Sequence, residues 1–321
     1  MSEYKPVHKV KDNIYIKIFG ETELFIEFLE NFIPIEILKN IKPENVEDVT
    51  ERFLPLFSDN QDSDTIKRIN LENSQLFVIS IVEHESEVNY ASSFKMLQYI
   101  TLVLDDYIKE NDKKYKEETE KNGESKIKLS KSKDFKYPPV LPIIFYDGVS
   151  KWTSELNFFN KVEMNNIFAK YIPKFEYELV DLNLYSQQNL VDFQNALSLI
   201  LIVDKVRRAE DIKKLKDLPK NYIEEMAKKI PEHLLRLFSD CVKLLLERAN
   251  APREEIESIT EKIYERRLNN MFEFVDGFDI QATRKEAREM ALKEVREEVA
   301  KEVREEVTKE VNQKFEEVNR V

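Results

Sequence analysis

Between Asp12 and Ile41 the apolar residues Ile16, Phe19, Leu24, Phe25, Phe28, Leu29 and Phe32 recur mostly at spacings of three to five, the period of an amphipathic helix. Pro34 interrupts that pattern, and a second short helix over Ile35–Asn40 is expected after it. Asn45–Leu54 fits either a first strand or the approach to one. Asp62–Leu71 and Gln75–Glu85 read as two strands separated by the polar turn Glu72-Asn73-Ser74. Helical spacing returns over Ala91–Ile108, with Phe94, Leu97, Ile100, Leu104 and Tyr107 on one side. Lys109–Tyr137 is rich in lysine and poor in apolar residues, which predicts a mobile surface loop. Pro138–Tyr146 (PPVLPIIFY) is a buried strand closed by Asp147-Gly148, with Trp152 anchoring the loop that follows. Alternation near Phe175–Leu184 suggests another strand, and Leu190–Val206 a helix.

The character changes after about Arg207. Ala209–Phe274 patterns as three or four amphipathic helices, and from about Gln281 the chain is dominated by Glu, Lys, Arg and Val, with KEVREEVA followed by KEVREEVT. Valines at 295, 299, 303, 307 and 311 recur every four residues, so the apolar line winds around a straight helix instead of holding the 3.5 average of a left-handed coiled coil. This segment is either a solvated helix supported by Glu–Lys and Glu–Arg pairs four apart, or an arm for oligomerisation or DNA tracking. The expected division is a mixed α/β domain over 1–206 with the loop at about 109–137, a helical domain over 207–280, and a charged single helix or coiled-coil-like tail over 281–321.

Composition narrows the chemistry. The 321 residues are 42% hydrophobic, enough for a sizeable core, and carry a formal charge of −12 from 62 acidic and 50 basic side chains. Nucleic acid therefore gains no help from the overall field, and contact with it needs a local basic patch or bound cations. One cysteine, Cys241, lies in an apolar helical pattern, which excludes a disulfide framework and a multi-cysteine zinc site. The N-terminal MSEYKPVHKVKD has no apolar signal core, and the longest apolar run, around Ala196–Val203, is too short to span a bilayer. A cytoplasmic location without membrane attachment is expected. Only His8, His84 and His233 are present, so any chemistry runs mainly on carboxylates and lysines.

The stretch Phe77–Asn89 (FVISIVEHESEVN) carries the sharpest anomaly, an apolar strand that breaks into Glu-His-Glu. Strand alternation puts Glu83 and Glu85 on one face and His84 on the other. A two-residue turn at Asn73-Ser74 sets Asp64 directly opposite Glu83, where two like charges repel unless a cation lies between them. Such acids form a site for a hard divalent ion, or they mark where a strand emerges into solvent. The residues alone leave both readings open.

Five stretches in order, DNIYIKIFG (Asp12–Gly20), SDTIKRI (Ser63–Ile69), VISIVEHES (Val78–Ser86), FKMLQYI (Phe94–Ile100) and PPVLPIIFYDGVSKW (Pro138–Trp152), resemble the Rpn-type recombination-promoting nucleases, also labelled YhgA-like transposases, of the PD-(D/E)XK nuclease superfamily. The resemblance covers roughly residues 10–205. It implies a restriction-endonuclease-like α/β core, a mixed sheet flanked by helices, and an all-helical region beyond it. It further implies Mg²⁺- or Mn²⁺-dependent hydrolysis of DNA phosphodiesters. By that analogy Asp64 and Glu83 hold the metal, with the His84 carbonyl as a third ligand. Glu85 replaces the Lys or Gln usual at its position and becomes a third acidic participant, as metal ligand or base. Lys95 stands where relatives carry a basic residue and is the candidate for transition-state stabilisation, its alternative being a solvated lysine on the open side of a helix. Tyr99 reads as a packing residue with a hydrogen-bonded tip. Lysines within Lys109–Lys136 are candidates for a phosphate clamp, and the C-terminal helix for homo-oligomerisation. Glu85 and the global acidity also suit a catalytically inactive DNA- or protein-binding module that keeps the nuclease fold.

Overall fold

A computed structural model describes residues 15–53, 64–72, 74–83, 88–121, 128–148, 150–206, 211, 213–248 and 251–267. The chain divides into two compact units, Met1–Leu199 and Ile200–Val321. The expected C-terminal tail, with its repeat, lies outside the described residues, as do Glu85 and His84.

The first unit is built on one five-stranded sheet whose strands lie in sequence order: β1 (Val46–Asp48), β2 (Thr65–Leu71), β3 (Ser74–Glu83), β4 (Val140–Tyr146) and β5 (Glu178–Asp181). β1, β2 and β3 form an antiparallel meander, while β4 and β5 run parallel to β3. A parallel step needs a crossover, and between β3 and β4 this includes the long helix α2 (Ser92–Lys121). The opening helical pattern appears as a helical stretch at 15–20 followed by α1 (Thr22–Phe32).

Alternation along β2 and β3 sends their side chains into two cores. Ile66, Phe77, Ile79 and Ile81 pack with Met96, Tyr99 and Val103 of α2, and Ile144, Tyr146 and Trp152 complete that cluster. On another side of β4, Phe145 meets Tyr15, Phe19 and Phe28, with ring centroids 5.0–6.0 Å apart. A strand buried on both faces reads as a continuous apolar run, as β4 does. β2 is an exception, because Lys67 and Arg68 are both buried within it. Their charges are matched by β1, whose Asp48 and Glu47 stand opposite them in register. Lys67 Nζ lies 2.6 Å from Asp48 and 3.0 Å from the Gly20 carbonyl, while Arg68 bonds Glu47 and Glu110 at 2.5 and 2.8 Å.

Three expectations are corrected here. Residues 109–121, read as loop, continue α2, because charge pairs one turn apart support a helix with few apolar residues. These pairs are Asp105–Lys109 at 2.6 Å and Glu110–Lys114 at 2.7 Å. Asp112 accepts from the Ser130 backbone and hydroxyl at 2.8 and 2.7 Å, tying part of the expected loop back to the helix. The buried stripe of α2 is Ser92, Met96, Tyr99 and Val103, whereas Phe94 is 54% exposed. The helix expected over Leu190–Val206 is two, Gln187–Phe193 and Ala196–Asp204, parted at Gln194, whose φ of 56° is left-handed.

In the second unit the described residues form the helices Lys220–Lys229, Glu232–Arg248 and Arg253–Tyr264. Cys241 is buried among them. Among the described residues no helix is long and apolar enough to cross a membrane.

Candidate active site

The antiparallel meander and the parallel step bring four strand ends to one edge of the sheet. Asp64 immediately precedes β2, Glu83 ends β3 beside Tyr146 at the end of β4, and Tyr146 is paired with Asp181 at the end of β5. The turn between β2 and β3 falls one residue earlier than the expected Asn73-Ser74 turn, because Leu71 pairs with Ser74. The register is thereby displaced by two residues from that of an Asn73-Ser74 turn. Continued past the Thr65–Ser80 pair, it sets Asp64 level with Ile81, with Glu83 two residues farther along β3. A shift of two preserves the face. The two acids are thus diagonal neighbours on adjacent strands instead of directly opposed ones. The Glu83 side chain lies outside what is described.

Asp64 is 5% exposed. Its Oδ2 accepts from the Tyr99 hydroxyl at 2.5 Å and lies 3.0 Å from Lys95 Nζ. The carboxylate also accepts from the Val82 backbone N–H. Lys95 and Tyr99 stand one turn apart on α2, so a single helix face delivers both donors. Asn89 starts that helix: its Oδ1 accepts the Ala91 N–H at 2.9 Å and its carbonyl the Ser92 hydroxyl at 2.7 Å.

Burial pushes the Asp64 carboxyl above the usual range, against the pull of the Lys95 charge, the Tyr99 and Lys95 bonds and the Val82 N–H. Burial, the nearby Asp64 charge and the bond to it push the Tyr99 phenol up. Tyr99 therefore remains a proton donor to Asp64.

The neighbouring acids have different surroundings. Asp181 is buried and accepts from the backbone and side-chain N–H groups of Asn183, each at 2.9 Å. Asn183 reaches the Gly148 carbonyl at 2.8 Å and so ties the ends of β4 and β5 together. Asp147 is fully buried. Trp152 anchors its loop, edge-on to Tyr146 at 4.9 Å and to Tyr177 at 6.3 Å. Among the described residues no group of three or more His, Cys, Asp or Glu side chains is placed to hold a metal ion.

Of the four expected site residues, Asp64 and Lys95 are brought together. Glu83 is placed by its backbone at the same sheet edge, and Glu85 lies outside the described residues. Tyr99 is the packing residue with a hydrogen-bonded tip that was expected, and its spacing of four from Lys95 was the signal that the tip would reach the same carboxylate.

In comparison with known proteins, the family model described as "Putative transposase, YhgA-like" matches residues 9–233. No curated protein and no solved structure matches.

Proposed function

The chain belongs to the family described as "Putative transposase, YhgA-like", and from that premise we propose that it is a metal-dependent DNA endonuclease of PD-(D/E)XK type. The observation that carries this reading is the Asp64–Lys95 pair, a carboxylate and an ammonium 3.0 Å apart at the sheet edge where β3 ends in Glu83. An acid and a cation side by side are what phosphodiester hydrolysis asks of a protein. The acid ligates a metal and the cation faces the charge that grows on phosphorus.

Asp64 supplies a hard oxygen ligand of the kind magnesium takes, and one or two protein carboxylates suffice for that ion. In this proposal Asp64 and Glu83 hold Mg²⁺ or Mn²⁺, with Glu85 as a third acidic participant. When bound, the ion would lower the pKa of a water and polarise the phosphodiester. Lys95 neutralises Asp64 in the metal-free site and supplies positive charge to the transition state. Tyr99 fixes the carboxylate's orientation from the same helix.

A second reading is favoured by one observation: Asp64 already has Lys95, Tyr99 and the Val82 N–H as partners. A carboxylate so satisfied also suits a fold retained for DNA or protein binding without catalysis. Plasmid nicking with Mg²⁺ and with Mn²⁺ decides between them. The endonuclease reading expects cleavage by the wild type and its loss in Asp64→Ala and Glu83→Ala proteins that still melt cooperatively. Equal nicking by all three would end it, and no cleavage with either metal would leave the binding module.

A further inference from the structure

The connection from β4 to β5 carries a feature that the catalytic reading does not use. Residues 151–177 contain seven aromatic side chains, four lysines and three glutamates. The segment is a built platform. The Phe158 and Phe175 rings stack at 5.6 Å with 12° between their planes, and an Asn157–Glu176 bridge closes its base. Backbone bonds from Phe158 to Phe175 (3.2 Å) and from Tyr177 to Leu156 (3.3 Å) hold the two limbs together. Trp152 and Tyr177 root it in the core, while Ile167, Phe168 and Tyr171 are 74, 44 and 70% exposed.

Three lysines rest on aromatic rings: Lys161 over Tyr90 at 5.8 Å, Lys170 over Tyr171 at 4.8 Å and Lys174 over Phe159 at 5.4 Å. Among the described residues none of the three has a carboxylate partner, in contrast to the paired lysines of α2. The platform also joins the candidate active site. Tyr90, 57% exposed, hydrogen-bonds Thr153 at 2.9 Å and lies in the turn that leads into α2, just ahead of Lys95.

We propose that this platform binds a single-stranded stretch of DNA, with bases stacking on Tyr90 and Tyr171 and phosphates meeting Lys161 and Lys170. The occupant follows from the chemistry. A duplex hides its base faces, and an acidic peptide would have no use for open rings. Exposed rings interleaved with uncompensated lysines match the alternating π-face and phosphate of an unpaired strand. In a chain of net charge −12 such lysines are the local positive field that nucleic acid requires. The inference rests on the endonuclease reading for its biological setting and names the substrate as DNA with an unpaired segment. The binding itself needs no catalysis.

The test is fluorescence anisotropy of the full chain, without divalent metal, on a labelled oligothymidylate of about 20 nucleotides, a length that covers one stacking site, and on a duplex of equal length. The expected result is tighter binding of the single strand, weakened about tenfold by Tyr171→Ala and restored by Tyr171→Phe, since one stacked base supplies binding of that order. Lys161→Gln and Lys170→Gln should each lower the slope of log affinity against log salt by about 0.7, the single-strand value per phosphate. Unchanged affinity in Tyr171→Ala and Lys170→Gln, or preference for the duplex, overturns the proposal. So does self-association that Ile167→Asp abolishes with single-strand binding unaltered, which would make the patch a contact between copies of this chain. Loss of nicking with binding intact would remove the endonuclease reading alone.

Discussion

Lys95 Nζ approaches Asp64 Oδ2 to 3.0 Å, closing α2 onto the head of β2 through a carboxylate that is 5% exposed. The two ends of this pair are not equivalent. The Lys95 side chain is 19% exposed and reaches water if its partner is lost, whereas Asp64 has no such escape.

That asymmetry predicts unequal costs. Lys95→Met leaves a buried carboxylate with only Tyr99 and the Val82 N–H, and should destabilise by about 2–4 kcal/mol. Asp64→Asn keeps an acceptor for Tyr99 and should cost about 1–2 kcal/mol. The double variant should lose less than the sum. Urea unfolding of the four proteins measures the coupling, and strict additivity would show that the pair contributes nothing jointly.

A second charge pair makes a sharper demand on packing. Lys67 is fully buried, with its ammonium on Asp48 and the Gly20 carbonyl and 5.7 Å from the centre of the Phe25 ring. Lys67→Ala removes the aliphatic stem as well as the charge and should cost about 2–4 kcal/mol. Lys67→Met keeps the stem, and the half-exposed Asp48 stays hydrated, so its cost should be about 1 kcal/mol or less. Chemical denaturation that ranks the two variants equally would put the charge, not the stem, in control.

Much of this arrangement was legible from period alone. The strands, the crossover helix and the order in which they occur follow from alternation of two and recurrence near 3.6, and Trp152 does anchor its loop. Lys67 and Arg68 were not legible as core residues. Their burial depends on Asp48 and Glu47 in β1, a three-residue strand inside the Asn45–Leu54 stretch that the pattern left open between a strand and the approach to one. The register failed by two residues because Glu72-Asn73-Ser74 carries no glycine to fix the turn type. The C-terminal half of α2 was missed because its helicity comes from charge pairs instead of an apolar stripe. For the site, Asp64 and Lys95 were each singled out, but their ion pair is a tertiary contact that no local pattern encodes.

Gly148 offers a test of how tightly the end of β4 is packed. A Cβ added there would run into the Tyr146 ring. That ring is fully buried, donates from its hydroxyl to the Ser150 carbonyl at 2.6 Å and meets Trp152 edge-on. Gly148→Ala should therefore destabilise by about 1–3 kcal/mol, the usual range for overpacking. Thermal melting should recover part of the loss when Tyr146→Leu is added. No recovery would place the strain in the backbone.

Glu27 predicts a pH dependence remote from the candidate active site. Its Oε2 accepts the Leu197 N–H at 2.8 Å, at the start of the helix Ala196–Asp204. Burial raises its carboxyl from 4.5 to about 7, against the Leu197 and Ala196 backbone bonds and with added repulsion from Glu23 and Glu30. A folded-state pKa above the unfolded one means that the native protein holds a proton the unfolded chain has released, so this contribution is complete below 4.5 and is lost as pH rises to about 7. Solvent at the partly exposed carboxyl reduces the effect to about 1–2 kcal/mol. Glu27→Gln, which retains an acceptor and cannot ionise, should remove that decline. The difference between wild-type and variant unfolding free energies, followed across pH, isolates this group from every other titration. A difference that stays flat from 4.5 to 7 would mean that Glu27 ionises normally beneath the helix it caps.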